Sequence, residues 1–306
     1  MNPSPRYLQF AKSVLWSGAL ILGCVLVSTL NAAAQSEPPV CYDLSETFPR
    51  EAGQYRVSRA SRPVEPFKII DGLYYVGNSQ VGSHLLKTDN GLVLIDTPMP
   101  HQMDWLLESV RKLGFEPRDV KVVIGTHAHV DHVGGHWYFQ RQFGAQTWLH
   151  EAEVSAAQAG AWRPGRLVPL DGSVDALSMA FPPFKPDRVL HDGDVITWGG
   201  QTFTFRSAPG HTDGTLFIEF PVRNPATGKT ITAGLLGGIG RGPAFRKALG
   251  QLAQINVDLW LGAHPDQNKT FEKQRRLGDS AKNNPFIDPE GWKAFIERMA
   301  KRAGAS

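Results

Sequence analysis

Cysteine is almost absent from this 306-residue sequence, which contains only Cys24 and Cys41. Two cysteines are too few for a disulfide scaffold or a cysteine-rich zinc module. Net charge is also small: the formal value is +3, and it falls to +1 without residues 1–34, which hold two basic residues and no acidic ones. A nearly neutral chain offers no electrostatic footprint for nucleic acid or an anionic membrane surface, so neither is expected as a partner.

The N-terminus has the pattern of a secretory signal. Arg6 and Lys12 precede an uncharged apolar run, Val14–Leu30, which is followed by the small residues NAAA. A basic region, an apolar region and an Ala-x-Ala site predict a signal peptide over residues 1–34 that is removed at its end. The mature protein would then be periplasmic or secreted, with no stable membrane association. Two alternatives stay open: an uncleaved anchor, because the apolar run is nearly long enough to span a bilayer, and lipidation at Cys24.

The rest of the chain has a globular composition, 42% hydrophobic and 20% charged, which excludes collagen-like and broadly disordered proteins. Residues 35–66 are polar and proline-rich and are predicted to form an extended arm. Residues 67–306 predict one domain in which the order β, β, α, β, α is followed by a similar order in the second half. Two packed β-sheets covered by helices are the simplest architecture for this order. One helix is predicted from about His132 to Phe143.

One motif carries most of the chemical information. His127, His129, Asp131 and His132 lie within six residues, directly after a short apolar run, Val122–Ile124, that predicts a buried strand. In an extended turn, positions i and i+2 project to the same side, so His127 and His129 can face one ion. Asp131 and His132 fall where the chain bends into a helix and can face a second ion nearby. Imidazole and carboxylate ligands suit zinc, which keeps one ligand position for water in catalytic sites.

Two further histidines follow predicted strands in the second half. His211 lies in the turn PGHT, and His264 lies in GAHP. Taken singly, each is an ordinary loop histidine. Together they supply the third ligand that each of the two zinc sites still lacks. We therefore predict site one from His127, His129 and His211, and site two from Asp131, His132 and His264.

The segments HAHVDH and PGHT, followed by a histidine after a late strand, resemble the metallo-β-lactamase superfamily from about Phe67 to Arg302. The resemblance implies an α+β fold, the four-layer αβ/βα sandwich, with two Zn2+ ions at one edge of the sheets. It also implies that Asp96, at the end of an early strand, supports the metal ligands from behind. Without the resemblance, Asp96 is equally well interpreted as a simple turn residue.

The branch of the superfamily is indicated by the residues at the end of the predicted strand Thr230–Leu236. Glyoxalases, lactonases, ribonucleases and phosphodiesterases of this family usually carry a metal-bridging aspartate there, and this chain has Leu-Leu-Gly-Gly. The ligand pattern instead resembles the third subclass of metallo-β-lactamases. The serines that bind the β-lactam carboxylate in that subclass are absent, so Arg241 is the predicted carboxylate anchor, unless it is an exposed structural arginine. Trp162, Phe181 and Phe184 are predicted to form an apolar wall over the substrate, unless they only pack the loop.

The resemblance implies a dizinc hydrolase that uses a metal-bridging hydroxide to open a cyclic amide, most simply a β-lactam. The predicted signal peptide implies that this hydrolase is secreted. Asp131 is the predicted catalytic residue, because it would hold the second metal and orient the nucleophile. No G-x-S-x-G motif is present, in agreement with chemistry that needs no protein nucleophile. Two alternatives remain: a related hydrolase of another ester, lactone or amide, and a metal-binding module without catalysis. The substrate is a small molecule, and no protein partner is implied.

Overall fold

A computed structural model describes residues 61–160, 181–278 and 284–304. The predicted signal peptide, most of the predicted arm and Trp162 lie outside the described residues. The last residues of the arm lie against the domain, where Pro63 forms an isolated antiparallel bridge with Asn78. Within the described ranges, no helix combines the length and the apolar character needed to cross a membrane.

The first sheet contains seven strands in chain order: β1 (Phe67–Ile70), β2 (Leu73–Tyr75), β3 (His84–Thr88), β4 (Gly91–Ile95), β5 (Val120–Ile124), β6 (Gln146–His150) and β7 (Arg188–Leu190). The pairs from β1 to β4 are antiparallel, and those from β4 to β7 are parallel. Side chains alternate along β4: Val93 and Ile95 enter one hydrophobic cluster, whereas Leu92 and Leu94 enter another. This alternation buries both faces of the strand, as expected for a sheet covered on both sides.

The second sheet contains five strands in the order β12-β11-β10-β9-β8. Their bounds are β8 (Val195–Trp198), β9 (Gln201–Ser207), β10 (Leu216–Arg223), β11 (Thr230–Leu236) and β12 (Leu259–Gly262). All pairs are antiparallel except β11 and β12. Phe203, Phe205 and Ile218 from this sheet share one hydrophobic cluster with Val93 and Ile124 from the first, so the two sheets pack face to face.

Seven α-helices lie within the described ranges: α1 (Met103–Lys112), α2 (Val130–Val133), α3 (His136–Phe143), α4 (Val154–Ala159), α5 (Gly242–Leu252), α6 (Thr270–Arg275) and α7 (Pro289–Gly304). Leu106 and Val110 of α1 pack on the outer face of the first sheet, together with Phe139 of α3. Phe245 of α5 and Trp292 of α7 pack on the outer face of the second sheet. The order helix, sheet, sheet, helix confirms the four-layer αβ/βα sandwich.

The prediction of one helix from His132 to Phe143 is wrong, because Gly134 and Gly135 separate α2 from α3. The backbone is tightly packed at this break. A Cβ atom on Gly134 would lie 2.5 Å from the carbonyl oxygens of Pro98 and Val130, and one on Gly135 would collide with the Met103 side chain. The two glycines therefore allow the segment His127–His132 to pack closely against the chain that follows β4.

Four strand ends meet at one edge of the sandwich. Asp96 N, just after β4, donates to Ile124 O at the end of the parallel strand β5 (2.9 Å). Leu216 N, at the start of β10, donates to Thr126 O (2.9 Å) and thereby joins the two sheets. Parallel strands end at the same edge of a sheet, so the loops after β4, β5, β9 and β12 all reach this region. Every residue predicted for the two metal sites lies in one of these loops or in the α2 turn that follows β5.

Candidate metal centre

Site one forms where the loop after β5 meets the loop after β9. Nε2 of His127 lies 3.0 Å from Nδ1 of His129 and 3.1 Å from Nε2 of His211. All three histidines offer one nitrogen within 4.8 Å of the others. His127 and His129 are buried, and His211 is half-buried. The structure thus brings together the three histidines that the sequence predicted for this site.

Site two joins the α2 turn to the loop after β12. Nε2 of His132 lies 3.3 Å from Nε2 of His264 and 3.5 Å from Oδ2 of Asp131. Nε2 of His264 lies 3.9 Å from the same carboxylate oxygen. The imidazole rings of His127 and His132 lie 4.3 Å apart between centroids, so the two sites adjoin. Six potential ligands from three distant stretches of the chain therefore form one cluster.

Asp96 supports ligands of both sites. Its Oδ2 atom accepts from Nδ1 of His132 (2.7 Å) and from the Thr126 hydroxyl (2.8 Å), while Oδ1 accepts from Thr126 N (2.8 Å). Because the Thr126 hydroxyl donates to Asp96, it accepts from Nδ1 of His127, which lies 3.1 Å away. Both imidazoles then carry their proton on Nδ1 and present the lone pair of Nε2 to the cluster.

The backbone of Asp96 has φ 62°, and only Lys269 shares a positive φ among the non-glycine residues of the described ranges. Such a conformation costs an L-residue on the order of 1 kcal/mol and persists where the surrounding contacts fix it. Burial of Asp96, which is 0% exposed, and its three hydrogen bonds supply those contacts here. The geometry agrees with the supporting role that the family resemblance implied for this residue.

His264 is oriented by a backbone carbonyl. Its Nδ1 atom lies 2.7 Å from the carbonyl oxygen of Gln80, in the loop between β2 and β3. A carbonyl only accepts, so Nδ1 carries the proton and Nε2 faces His132 and Asp131 as a lone pair. The Gln80 loop is held in turn by Asn78, whose Oδ1 atom accepts from Gln80 N (2.8 Å) and Val81 N (2.9 Å).

The protonation states also suit cation binding. Burial lowers the pKa of His127 well below its usual value, and the neighbouring histidines lower it further. Burial alone would also lower the pKa of His132, but the carboxylates of Asp131 and Asp96 outweigh it and raise that pKa. A neutral imidazole is the form that binds metals, and a bound cation would replace the proton that the two carboxylates favour on His132.

The residues present fit a pair of divalent cations. Oδ1 of Asp131 has no hydrogen-bond partner within the described ranges, although the residue is only 2% exposed. A buried, unpartnered carboxylate oxygen is costly unless a cation compensates it. Nε2 of His127 likewise faces two other imidazole nitrogens within 3.1 Å, so three potential donors converge on one point. Histidine and aspartate donors in groups of three match catalytic zinc sites.

The segment where the family resemblance implied a bridging aspartate in other branches consists here of Gly237 and Gly238, which have no side chains. A Cβ atom on Gly238 would collide with the His211 ring, and one on Gly237 would lie 2.5 Å from Cβ of Thr126. The backbone after β11 therefore packs directly against one metal-ligand loop and one supporting residue. No carboxylate from this segment enters the cluster, in agreement with the sequence.

The structure places the predicted substrate contacts in different surroundings. Arg241 is exposed, and its backbone N lies 3.4 Å from the carbonyl oxygen of Gly210, next to His211. Phe184 is 4% exposed and lies against the His136 ring, with centroids 5.3 Å apart. Phe181 is equally buried in the same hydrophobic cluster. This burial favours the loop packing that the sequence left as the alternative for the two phenylalanines.

Sequence reasoning missed three residues that support the site: Thr126, Gln80 and Glu153. Thr126 directly precedes the histidine motif, and this position was the signal in the sequence that could have indicated its supporting role. Gln80 acts through its backbone carbonyl, which no side-chain pattern reveals. Glu153 accepts hydrogen bonds from the backbone of both site-one loops.

Comparison with known proteins identifies the family of this chain. The family model of the metallo-β-lactamase superfamily matches residues 76–224. A hydroxyacylglutathione hydrolase, GloC of Haemophilus influenzae, is 30% identical over 188 residues, which cover 56% of this chain and 77% of that protein. The chain therefore belongs to the metallo-β-lactamase superfamily, and it is a metal-binding hydrolase of that superfamily.

Solved structures of metallo-β-lactamases have the same fold. BJP-1, a subclass B3 enzyme of Bradyrhizobium japonicum, is 28% identical with a TM-score of 0.70, covering 79% of this chain and 93% of that chain. Native FEZ-1 of Legionella gormanii is 28% identical with a TM-score of 0.71, covering 80% and 96%. The structures thus resemble the third subclass, as the sequence predicted.

A chicken protein called acyl-coenzyme A thioesterase MBLAC2 is 30% identical over 121 residues. The match covers 35% of this chain and 39% of that relative, so the chain spans well under half of its length. Such a partial match supports the family and leaves the substrate open.

Proposed function

We propose that this protein is a dizinc hydrolase that opens a cyclic amide, with β-lactams as its substrates. The single observation that carries the proposal is the pairing of two three-ligand sites with a strand end that lacks a carboxylate. His127, His129 and His211 would hold the first ion, and Asp131, His132 and His264 the second. Likeness to BJP-1 and FEZ-1 over more than nine-tenths of those chains supports the same substrate class.

The protein's own groups have distinct tasks in this proposal. When bound, the two metal ions supply a deprotonated water near neutral pH and polarise the carbonyl to be attacked. Asp96 and the Gln80 carbonyl keep the Nε2 lone pairs of His132 and His264 directed into the site. Asp131 would hold the second ion and, from the same buried position, orient the nucleophile. Arg241, exposed beside the His211 loop, would pair with the substrate carboxylate.

A second candidate is a hydrolase of thioesters, other esters or lactones with little β-lactam activity. Two observations favour it: the thioesterase and hydroxyacylglutathione hydrolase relatives, and the absence of serine from the segment Leu235–Arg241 at the end of β11. The same six ligands would serve this chemistry, because the metal ions and the water are common to both reactions. The difference lies in the substrate-binding surface around Arg241.

Export is part of the proposal. Residues 1–34 have the order of a signal peptide, and a periplasmic or secreted location would bring the enzyme into contact with external small molecules. N-terminal sequencing of the protein recovered outside the cytoplasm tests the predicted cleavage near Ala34. An intact N-terminus on membrane-bound protein would support the anchor instead.

Hydrolysis of nitrocefin by the purified protein, with and without a chelator, tests the substrate assignment. We expect turnover that the chelator abolishes and added zinc restores, and that His129→Ala also abolishes. A parallel panel of thioesters, esters and lactones tests the second candidate. Turnover of that panel alone would overturn the β-lactam assignment, and the absence of bound metal by elemental analysis would overturn both.

A further inference from the structure

Glu153 lies in a 3-10 turn, Glu151–Glu153, directly after β6. Its side chain is buried, and the residue is only 3% exposed. Both carboxylate oxygens accept backbone hydrogen bonds: Oε2 from Ala128 N (3.0 Å) and Oε1 from Gly214 N (2.8 Å). Neither hydrogen bond belongs to a helix or a sheet. The carboxylate therefore links two loops that are not paired with each other as strands.

The two loops are those that carry the ligands of site one. Ala128 lies between His127 and His129, and Gly214 lies three residues after His211. The first loop follows β5 of the first sheet, and the second follows β9 of the second sheet. Glu153 therefore connects the two halves of the site across the boundary between the sheets.

The local sequence allows this close approach. A Cβ atom on Gly214 would lie 2.5 Å from Cγ of Glu153 and 2.9 Å from Nδ1 of His150. His150 in turn fixes the 3-10 turn, because its Nδ1 atom accepts from Ala152 N (3.2 Å) and its Nε2 atom lies 2.9 Å from Oγ of Ser207. The glycine and the histidine together place the carboxylate against the His211 loop.

Site two has separate supports. Asp96 orients His132, and the Gln80 carbonyl orients His264. Neither group contacts Glu153 among the hydrogen bonds of the described residues. Loss of the Glu153 carboxylate would thus leave two buried backbone amides without acceptors, both in the loops that carry the ligands of site one.

We propose that Glu153 is a positioning residue that holds the loops of His127, His129 and His211 together and thereby sets the metal affinity of site one. This inference rests on the proposed two-metal centre. Groups that orient metal ligands from behind typically contribute about 10- to 100-fold to metal affinity. A purely structural role for Glu153 would change the stability of the fold without distinguishing between the two sites.

The test uses Glu153→Gln, which keeps the size of the side chain but turns an NH2 group toward one of the two backbone amides. Glu151→Gln is the matched control, because Glu151 lies in the same turn, is exposed and has its ion pair with His191 (3.7 Å). Each variant is combined with His264→Ala, which leaves site one, and with His129→Ala, which leaves site two. Zinc affinity is measured by competition with a chromophoric chelator, and unfolding of the metal-free protein is followed in parallel.

We expect Glu153→Gln to weaken zinc binding about 10- to 100-fold in the His264→Ala background and to leave it unchanged in the His129→Ala background. Excess zinc should restore turnover of the single variant Glu153→Gln. Where that variant does not fold, Gly214→Ala, which displaces the loop from an intact carboxylate, should have the same selective effect.

Equal zinc affinity of Glu153→Gln and Glu151→Gln in both backgrounds would overturn the inference, as would equal losses at both sites. If the wild-type protein binds two zinc ions while either of these results is found, only the role of Glu153 is wrong and the proposed function stands. A wild-type protein that binds none would overturn the proposed centre, and the role of Glu153 with it.

Discussion

The Oδ2 atom of Asp96 lies 2.7 Å from Nδ1 of His132, and both side chains are fully buried. The two residues are 36 positions apart in sequence, and the parallel pairing of β4 with β5 brings them together. The contact fixes which nitrogen of His132 carries the proton. It therefore connects the topology of the first sheet to the chemistry of the metal centre.

Replacing Asp96 by Asn tests this connection. The amide NH2 group would face Nδ1 of His132 and force that atom to accept, which moves the imidazole proton to Nε2, the atom that faces the cluster. We expect zinc affinity to fall by about 10- to 100-fold. Chelator competition measures the change, and Asp71→Asn, an exposed carboxylate paired with Lys68, is the control. Unchanged affinity would show that Asp96 does not set the tautomer of His132.

The six predicted ligands could be found from sequence because their chemistry is carried by side chains at fixed spacing. His127, His129, Asp131 and His132 follow a clear apolar run, so the end of β5 and the motif were predicted together. His211 and His264 could be assigned because each follows a predicted strand. Two packed sheets covered by helices followed from the order of elements, and the four-layer αβ/βα sandwich followed from the family resemblance.

The supporting contacts could not be predicted, because they depend on backbone groups far away in sequence. The Gln80 carbonyl and His264 are 184 positions apart, and no residue type is required for a carbonyl to accept. Glu153 binds two amides in loops that lie 25 and 61 positions away. The break between α2 and α3 was also missed, since it depends on how closely Gly134 and Gly135 approach the chain after β4.

The pH dependence of stability should reveal His136. Burial and, to a smaller extent, the charge of His132 together lower its pKa from the usual 6.5 to about 3. Between these values the unfolded chain binds a proton that the folded protein does not bind. The contribution of His136 to the free energy of unfolding is therefore fully present above pH 6.5. It is lost as pH falls, by up to about 1.4 kcal/mol per pH unit.

Urea unfolding of metal-free wild type and His136→Gln at pH 7, 6 and 5 measures this effect. Use of metal-free protein removes the contribution of metal release, and the other histidines contribute equally to both proteins. We expect the wild type to lose stability more steeply than the variant as pH falls. Parallel stability profiles would contradict a neutral, buried His136.

Gly238 gives the sharpest steric test of site one, because a Cβ atom there would collide with the His211 ring. We expect Gly238→Ala to displace His211, to weaken zinc binding at site one and to cost about 1–3 kcal/mol of stability through overpacking. Gly250→Ala in α5 is the matched control, since a Cβ atom there meets nothing within 4 Å and an alanine should stabilise the helix by about 0.5–1 kcal/mol. Chelator competition and thermal melting measure both quantities. If Gly238→Ala binds zinc as tightly as Gly250→Ala, the backbone after β11 does not constrain His211. Close packing at Gly238 would then not explain why this strand end carries no carboxylate side chain.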